Sequence, residues 1–193
     1  RILMFCGGVV AFTFLAVQSA LALECDEVSL AALTEAKITS AELQPAGSFE
    51  LPPELGPATK VELPAFCRVQ GVLRPSADSH IAFEVWLPAD NWNGRFQGVG
   101  NGAFAGSIPY SGLAAALRSG FATAASDTGH SAGGTDARWA AGHPEKVVDF
   151  GWRAVHLTAV AGKALTAAYY GETPSKSYFA SCSNGGRQGL MEA

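Results

Sequence analysis

The sequence predicts an α/β protein, a mainly parallel β-sheet flanked by helices. Three observations predict it. Strand-like apolar runs alternate with helix-compatible stretches from Ile81 onward, and such alternation builds a parallel sheet covered on both faces. The composition is 48% hydrophobic and 16% charged over 193 residues. That supplies the core of one domain and excludes an extended disordered chain. Glycines gather after two strand-like runs, at Gly98–Gly102 and Gly185–Gly186, where the chain has to turn tightly.

Residues 1–22 read as a targeting segment: Arg1, an apolar run from Ile2 to Val17, and small residues at Ala20 and Ala22. The run is roughly 16 residues, short of the ~20 needed to span a bilayer, so no stable membrane anchor is expected. Glu24 before Cys25 argues against a lipoprotein. The sequence thus predicts a secreted or periplasmic protein after cleavage near Ala22, with residues 23–193 as its folded portion. The chain starts at Arg1 and stops at Ala193 inside a helix-like stretch, and is read as a fragment.

Leu23 to Leu33 reads as a short helix, and Lys37 to Pro64, with scattered prolines, as an irregular arm. The core is expected to begin near Ile81, where Ile81, Phe83, Val85 and Leu87 alternate in strand period. Pro88-Ala89-Asp90-Asn91 and Asn93-Gly94 form a turn, and Arg95 to Val99 is a second strand. The short separation of these strands allows an antiparallel edge. Leu113 to Arg118 is a short helix and Phe121 to Ser126 a third strand. Gly142 to Lys146 is a loop, after which Asp149 caps a long alanine-rich helix, Phe150 to Tyr170, ended by Gly171 and Pro174. Ser177 to Ser181 is a fourth strand, followed by a sharp turn and another helix.

Cys6 falls in the targeting segment, leaving Cys25, Cys67 and Cys182. An odd count means one bridge and one remaining thiol, or a partner outside the chain. Cys25 with Cys67 can clamp the arm to the body, and Cys182 is then the orphan. No CxxC or HxxxH spacing exists, so no metal site is expected. A net charge of −4 without any Lys/Arg run argues against nucleic acid.

The chemistry centres on Ser183. A nucleophile elbow is a strand, a tight turn with Ser at its apex, and a helix, with small residues two before and two after the Ser. Ser181-Cys182-Ser183-Asn184-Gly185 fits, with Ser in place of the usual first Gly. The Asn184 amide would be one oxyanion donor, and an amide near Asn101 or Gly102 the other. A rival reading takes Gly98-Val99-Gly100-Asn101-Gly102-Ala103, with Asp127 roughly 24 residues on, as a dinucleotide fingerprint. Such a turn should open a helix at once, and Pro109 and neighbouring glycines oppose that. His130 is read as structural and His156 as a hydrogen-bonded helix residue. His80 and His143 are read as loop residues. Asp127 is read as holding the loop near the glycine turn.

The stretch Ser177 to Ala193, with Trp92-Asn93-Gly94-Arg95-Phe96, Gly98 to Gly106, Ser126 to His130 and Asp149 to His156, resembles the tannase and feruloyl esterase family from about Cys25 onward. The resemblance implies an α/β-hydrolase fold, here truncated after the elbow and without its lid. It implies Ser183-dependent hydrolysis of gallate, feruloyl or related phenolic esters, with small aromatic esters as substrate partners. It also implies a disulfide from Cys182 to a Cys beside the catalytic His, and a structural calcium in the lid; no cofactor is expected within this chain. In hydrolases of this type the acid and the His follow the nucleophile, so both are expected beyond Ala193. A binding relative that keeps the fold and lacks the triad is the alternative.

Overall fold

A computed structural model describes residues 24–30, 33, 36–53 and 58–193; the targeting segment expected at residues 1–22 lies outside them. The strand period at Ile81 marks the middle of the sheet. Strand β5 (Ile81–Pro88) is buried on both faces, the pattern of a central strand. It lies between β4 (Phe66–Leu73) and β7 (Ala122–Ser126), and the full order is β1-β4-β5-β7-β6-β8, with β1 Ala36–Gln44, β6 Arg95–Val99 and β8 Lys176–Ala180. The pairs β1–β4, β4–β5 and β5–β7 are antiparallel, while β6 runs parallel to both β7 and β8. A separate hairpin pairs β2 (Gly47–Leu51) with β3 (Thr59–Leu63).

Two cores follow from the alternation of side chains across the pleat. Phe83, Val85 and Leu87 face Ala154, Ala161 and Leu165 of the long helix α3 (Ala154–Tyr170). Trp86 faces the other way, into a cluster with Phe66, Leu51 and Leu63 of the hairpin, and Leu113 and Leu117 of α1 (Tyr110–Arg118). The sheet is therefore covered on both faces. Small side chains do the work on α3: a Cβ at Gly162 would sit 2.8 Å from the Phe96 ring.

Several expectations are corrected. The stretch read as an irregular arm holds β1, β2 and β3, because Pro45, Pro52, Pro53 and Pro64 sit in the connections while Ile38, Phe49, Leu51, Val61 and Leu63 keep a period of two. The antiparallel edge is accordingly broad, and the core takes in Cys25, Val28, Leu51, Leu63 and Phe66 rather than beginning near Ile81. The N-terminal helix is a 3₁₀ turn, Glu27–Leu30. The loop at 142–146 contains a short helix, α2 (Pro144–Val148), opened by proline in its first turn. Asp149 does not cap the long helix. Its backbone is helical, and a π-turn, Asp149–Arg153, joins α2 to α3 without a break. Gly171 ends α3 at φ 72°, as a glycine after a helix should.

Cys25 and Cys67 form a disulfide across a separation of 42 residues, with Cα atoms 5.5 Å apart. It ties the 3₁₀ turn to buried β4. Cross-linking a loop of this size restrains the unfolded chain, so replacing both cysteines by alanine in the full-length protein should cost about 2–4 kcal/mol, read from urea unfolding.

Candidate active site

The topology chooses the place. From β6 the chain passes through α1 to β7 on one side, then returns through α3 to β8 on the other side of β6. Strand order reverses at β6, and open α/β sheets bind ligands beyond the carboxyl ends of strands at such a point. Val99, the last residue of β6, is paired with Ala180, the last of β8. The glycine loop and the Ser183 turn therefore leave the sheet side by side.

Ser183 adopts φ 56°, ψ −125° immediately before α4 (Asn184–Glu192). A non-glycine residue pays for such a backbone, and the strain persists only where packing over-determines it. Here Gly185 does so: a Cβ on it would fall 1.9 Å from Ser181 Oγ and 2.4 Å from Ser181 Cβ. The Ser181 hydroxyl donates to Gly100 O at 2.9 Å, fastening the turn to the glycine loop. Within the helix start, the Gly185 amide donates to Cys182 O and the Gly186 amide to Ser183 O. The Asn184 amide has no acceptor among the described residues, as the first amides of a helix do not. Ser183 and Cys182 are both exposed, and Cys182 is a free thiol.

Of the two glycine-loop amides expected near the site, that of Asn101 donates to Gln188 Oε1 at 3.2 Å. Gly102, exposed and without such a partner among the described residues, is left as the candidate second donor. The dinucleotide reading fails on geometry, because β6 ends at Val99 and no helix opens until Tyr110.

The local histidines serve the scaffold. His130 is buried, with Nε2 2.8 Å from Phe104 O and its ring stacked on Trp139 at 3.9 Å. Burial holds its imidazole below the ordinary range. His156 Nδ1 lies 3.2 Å from Glu192 Oε2, and His143 Nδ1 3.0 Å from Asp78 Oδ1. Among the described residues none bonds to Ser183. Asp127 Oδ1 accepts from the Ala82 and Gly129 amides, holding the end of β7 against β5. Desolvation pushes its carboxyl up to about 7, with nearby Asp149 adding to the rise.

Two residues missed in the sequence complete the site. Gln188 returns to the buried face of α4 one turn after Gly185, and its burial is complete; a polar residue at that helical spacing was the available signal. Arg187 donates to the carbonyls of Phe150 and Gly151 and, through Nε, to Asn184 Oδ1 at 2.8 Å. No sequence pattern marks those carbonyls as its partners.

A strained serine between a parallel strand and a helix, beside a glycine loop at the sheet's reversal point, defines the α/β-hydrolase class. The chain belongs to the tannase and feruloyl esterase family, whose model matches residues 67–193. An uncharacterized esterase of Xanthomonas campestris pv. campestris is 46% identical over 170 residues, covering 88% of this chain and 29% of that protein. A probable feruloyl esterase B-2 of Aspergillus flavus is 46% identical over 127 residues, covering 66% of this chain and 24% of that one. The crystal structure of feruloyl esterase B from Aspergillus oryzae superposes with a TM-score of 0.75 at 33% identity, covering 86% of this chain and 34% of its own. The chain thus spans about a third or less of these relatives.

Two outcomes test the site's construction. Gly185→Ala should destabilise the protein by about 1–3 kcal/mol through overpacking, and adding Ser181→Gly should recover most of it in thermal melts. Asp127→Asn keeps the Oδ1 acceptor and removes the charge. Since the folded-state value of about 7 exceeds the unfolded one, wild-type stability falls as pH rises between about 4 and 7. The variant should therefore melt higher than wild type above pH 7, with the gap closing near pH 4.

Proposed function

We propose that the full-length protein is a secreted serine esterase that hydrolyses esters of aromatic carboxylic acids through an acyl-enzyme on Ser183. The observation that carries this is the Ser183 backbone, φ 56° and ψ −125°, at an exposed residue just beyond the carboxyl end of β8, where β8 pairs with β6.

In this reading Ser183 Oγ attacks the ester carbonyl carbon while a histidine takes its proton, oriented by an acid. Both lie beyond Ala193 in the full-length protein. The negative charge that forms on the carbonyl oxygen is met by the Asn184 and Gly102 amides, already oriented before the reaction. The C–O bond to the alcohol breaks, the histidine returns the proton to the leaving oxygen, and water repeats the sequence on the acyl-enzyme. Cys182, exposed and unpaired, is assigned a disulfide to the loop carrying that histidine. Among the described residues no three His, Cys, Asp or Glu side chains converge on a cation site.

An aromatic acyl group finds matching chemistry beside the glycine loop. Phe104 is 46% exposed, its ring 5.8 Å from that of Phe150, and offset or edge contacts between rings add to simple burial. Two of the relatives carry feruloyl esterase in their names. Export is supported by the apolar leader and by the Cys25–Cys67 disulfide, since such bonds persist in oxidising compartments.

Ser183→Ala in the full-length protein should lower kcat/KM for methyl ferulate and methyl gallate by at least about 1,000-fold without lowering the melting temperature. A folded variant that still turns both over at the wild-type rate removes Ser183 from the mechanism.

A further inference from the structure

Gln188 is polar yet 1% exposed, one turn into the helix that follows Ser183. Both ends of its amide meet one residue. Oε1 accepts from the Asn101 backbone N–H at 3.2 Å, and Nε2 donates to Asn101 Oδ1 at 2.8 Å. Asn101 in turn donates from Nδ2 to the carbonyls of Ala105 and Ser107, at 3.1 and 3.2 Å. Turning over either amide would set acceptor against acceptor, so the orientation of the pair is determined by its surroundings. The fit is close: a Cβ on Gly100 would lie 2.4 Å from Gln188 Oε1 and 2.9 Å from Gly185 Cα.

Other bonds hold the loop elsewhere. Ser181 Oγ takes Gly100 O at its start, and the His130 ring meets Phe104 O further on. Between them lies Gly102, whose missing side chain leaves its own backbone little steric restraint. On its carbonyl side Gly102 O accepts from the Ala105 amide at 3.0 Å; on its amide side the backbone bond that precedes it is the one Gln188 makes with Asn101.

We infer that Gln188 is a positioning residue for the oxyanion site: its amide fixes where the Gly102 N–H sits relative to Asn184 and Ser183. The inference rests on the reading of Ser183 proposed above. An apolar side chain of equal size would leave the buried Asn101 N–H without an acceptor, and the loop would turn to satisfy it. A carboxylate would place one oxygen against Asn101 Oδ1. A protonated carboxyl, by contrast, reproduces both contacts, its C=O accepting and its O–H donating. Because the amides bind the oxygen most strongly in the transition state, a displaced loop lowers kcat more than it raises KM.

The test uses full-length Gln188→Met and Gln188→Glu, with kcat and KM for methyl ferulate measured across pH and thermal melts confirming folding at the assay temperature. Gln188→Met should lose about 10- to 100-fold in kcat, less than a whole missing donor would cost, with KM within about threefold. For Gln188→Glu the ratio of wild-type to variant kcat, in which the titration of the general base cancels, should be large at pH 8 and shrink on acidification. A folded Gln188→Met with wild-type kcat overturns the inference, as does a Gln188→Glu deficit equal at every pH. A lowered melting temperature with unchanged kcat also overturns it, leaving Gln188 a role in folding alone. Should the Met variant not fold, the pH dependence of the Glu variant decides. If Ser183→Ala retains turnover, the esterase reading itself fails; wild-type kcat in a Gln188 variant of an enzyme that Ser183→Ala silences removes only the positioning role.

Discussion

The site depends on one close approach, that of the backbone after β6 to the backbone after β8. Gly100 and Gly185 meet with no room for a side chain on either, and Ser181 and Gln188 bond across the seam. This contact makes Ser183 tolerable in its left-handed conformation, because any relaxation of the turn would have to break it. A strained serine held in this way costs stability locally, and the surrounding packing offsets that cost.

The rest of the fold keeps those two strand ends in register. Glu84, buried in β5, accepts five hydrogen bonds: two from Arg68, and one each from Gln70, Trp86 and Tyr110. A buried carboxylate is tolerable only when so fully paired. Its donors come from β4, β5 and the first residue of α1, so the network ties the antiparallel half of the sheet to the helix that follows the glycine loop. Burial and the adjacent Glu84 carboxylate raise the Tyr110 hydroxyl far above its ordinary range, so it stays a donor at any working pH.

On the opposite face the π-turn at Asp149–Arg153 performs a similar service. A wider turn tilts carbonyls away from the helix ladder, and those of Phe150 and Gly151 receive the Arg187 guanidinium, which also lies over the Phe150 ring. Arg153, at the end of the same turn, binds Asp149, Glu145 and Ser79. The helix after Ser183 is thus held by Gln188 on the loop side and Arg187 on the helix side.

Much of this was legible in the residues. The period of two at Ile81–Leu87, the alanine-rich run to Tyr170, and the small residues around Ser183 each act over a few neighbours, so they determined β5, α3 and the elbow without reference to the remainder of the chain. Counting three cysteines left the pairing open, and the structure forms the Cys25–Cys67 bridge that the sequence offered as a clamp. Proline misled at 37–64, since it reports a turn locally and says nothing of the strand beside it. Asp149 misled because α2 precedes it and its own backbone is already helical, whereas a cap stands outside the helix. What tertiary structure alone decided was which distant groups meet: Asn101 with Gln188, Arg187 with the carbonyls at 150 and 151, Glu84 with Tyr110. Hydrogen bonds reach about 3 Å, whereas these residues lie tens of positions apart in the chain, and only strand order and register bring them within that range.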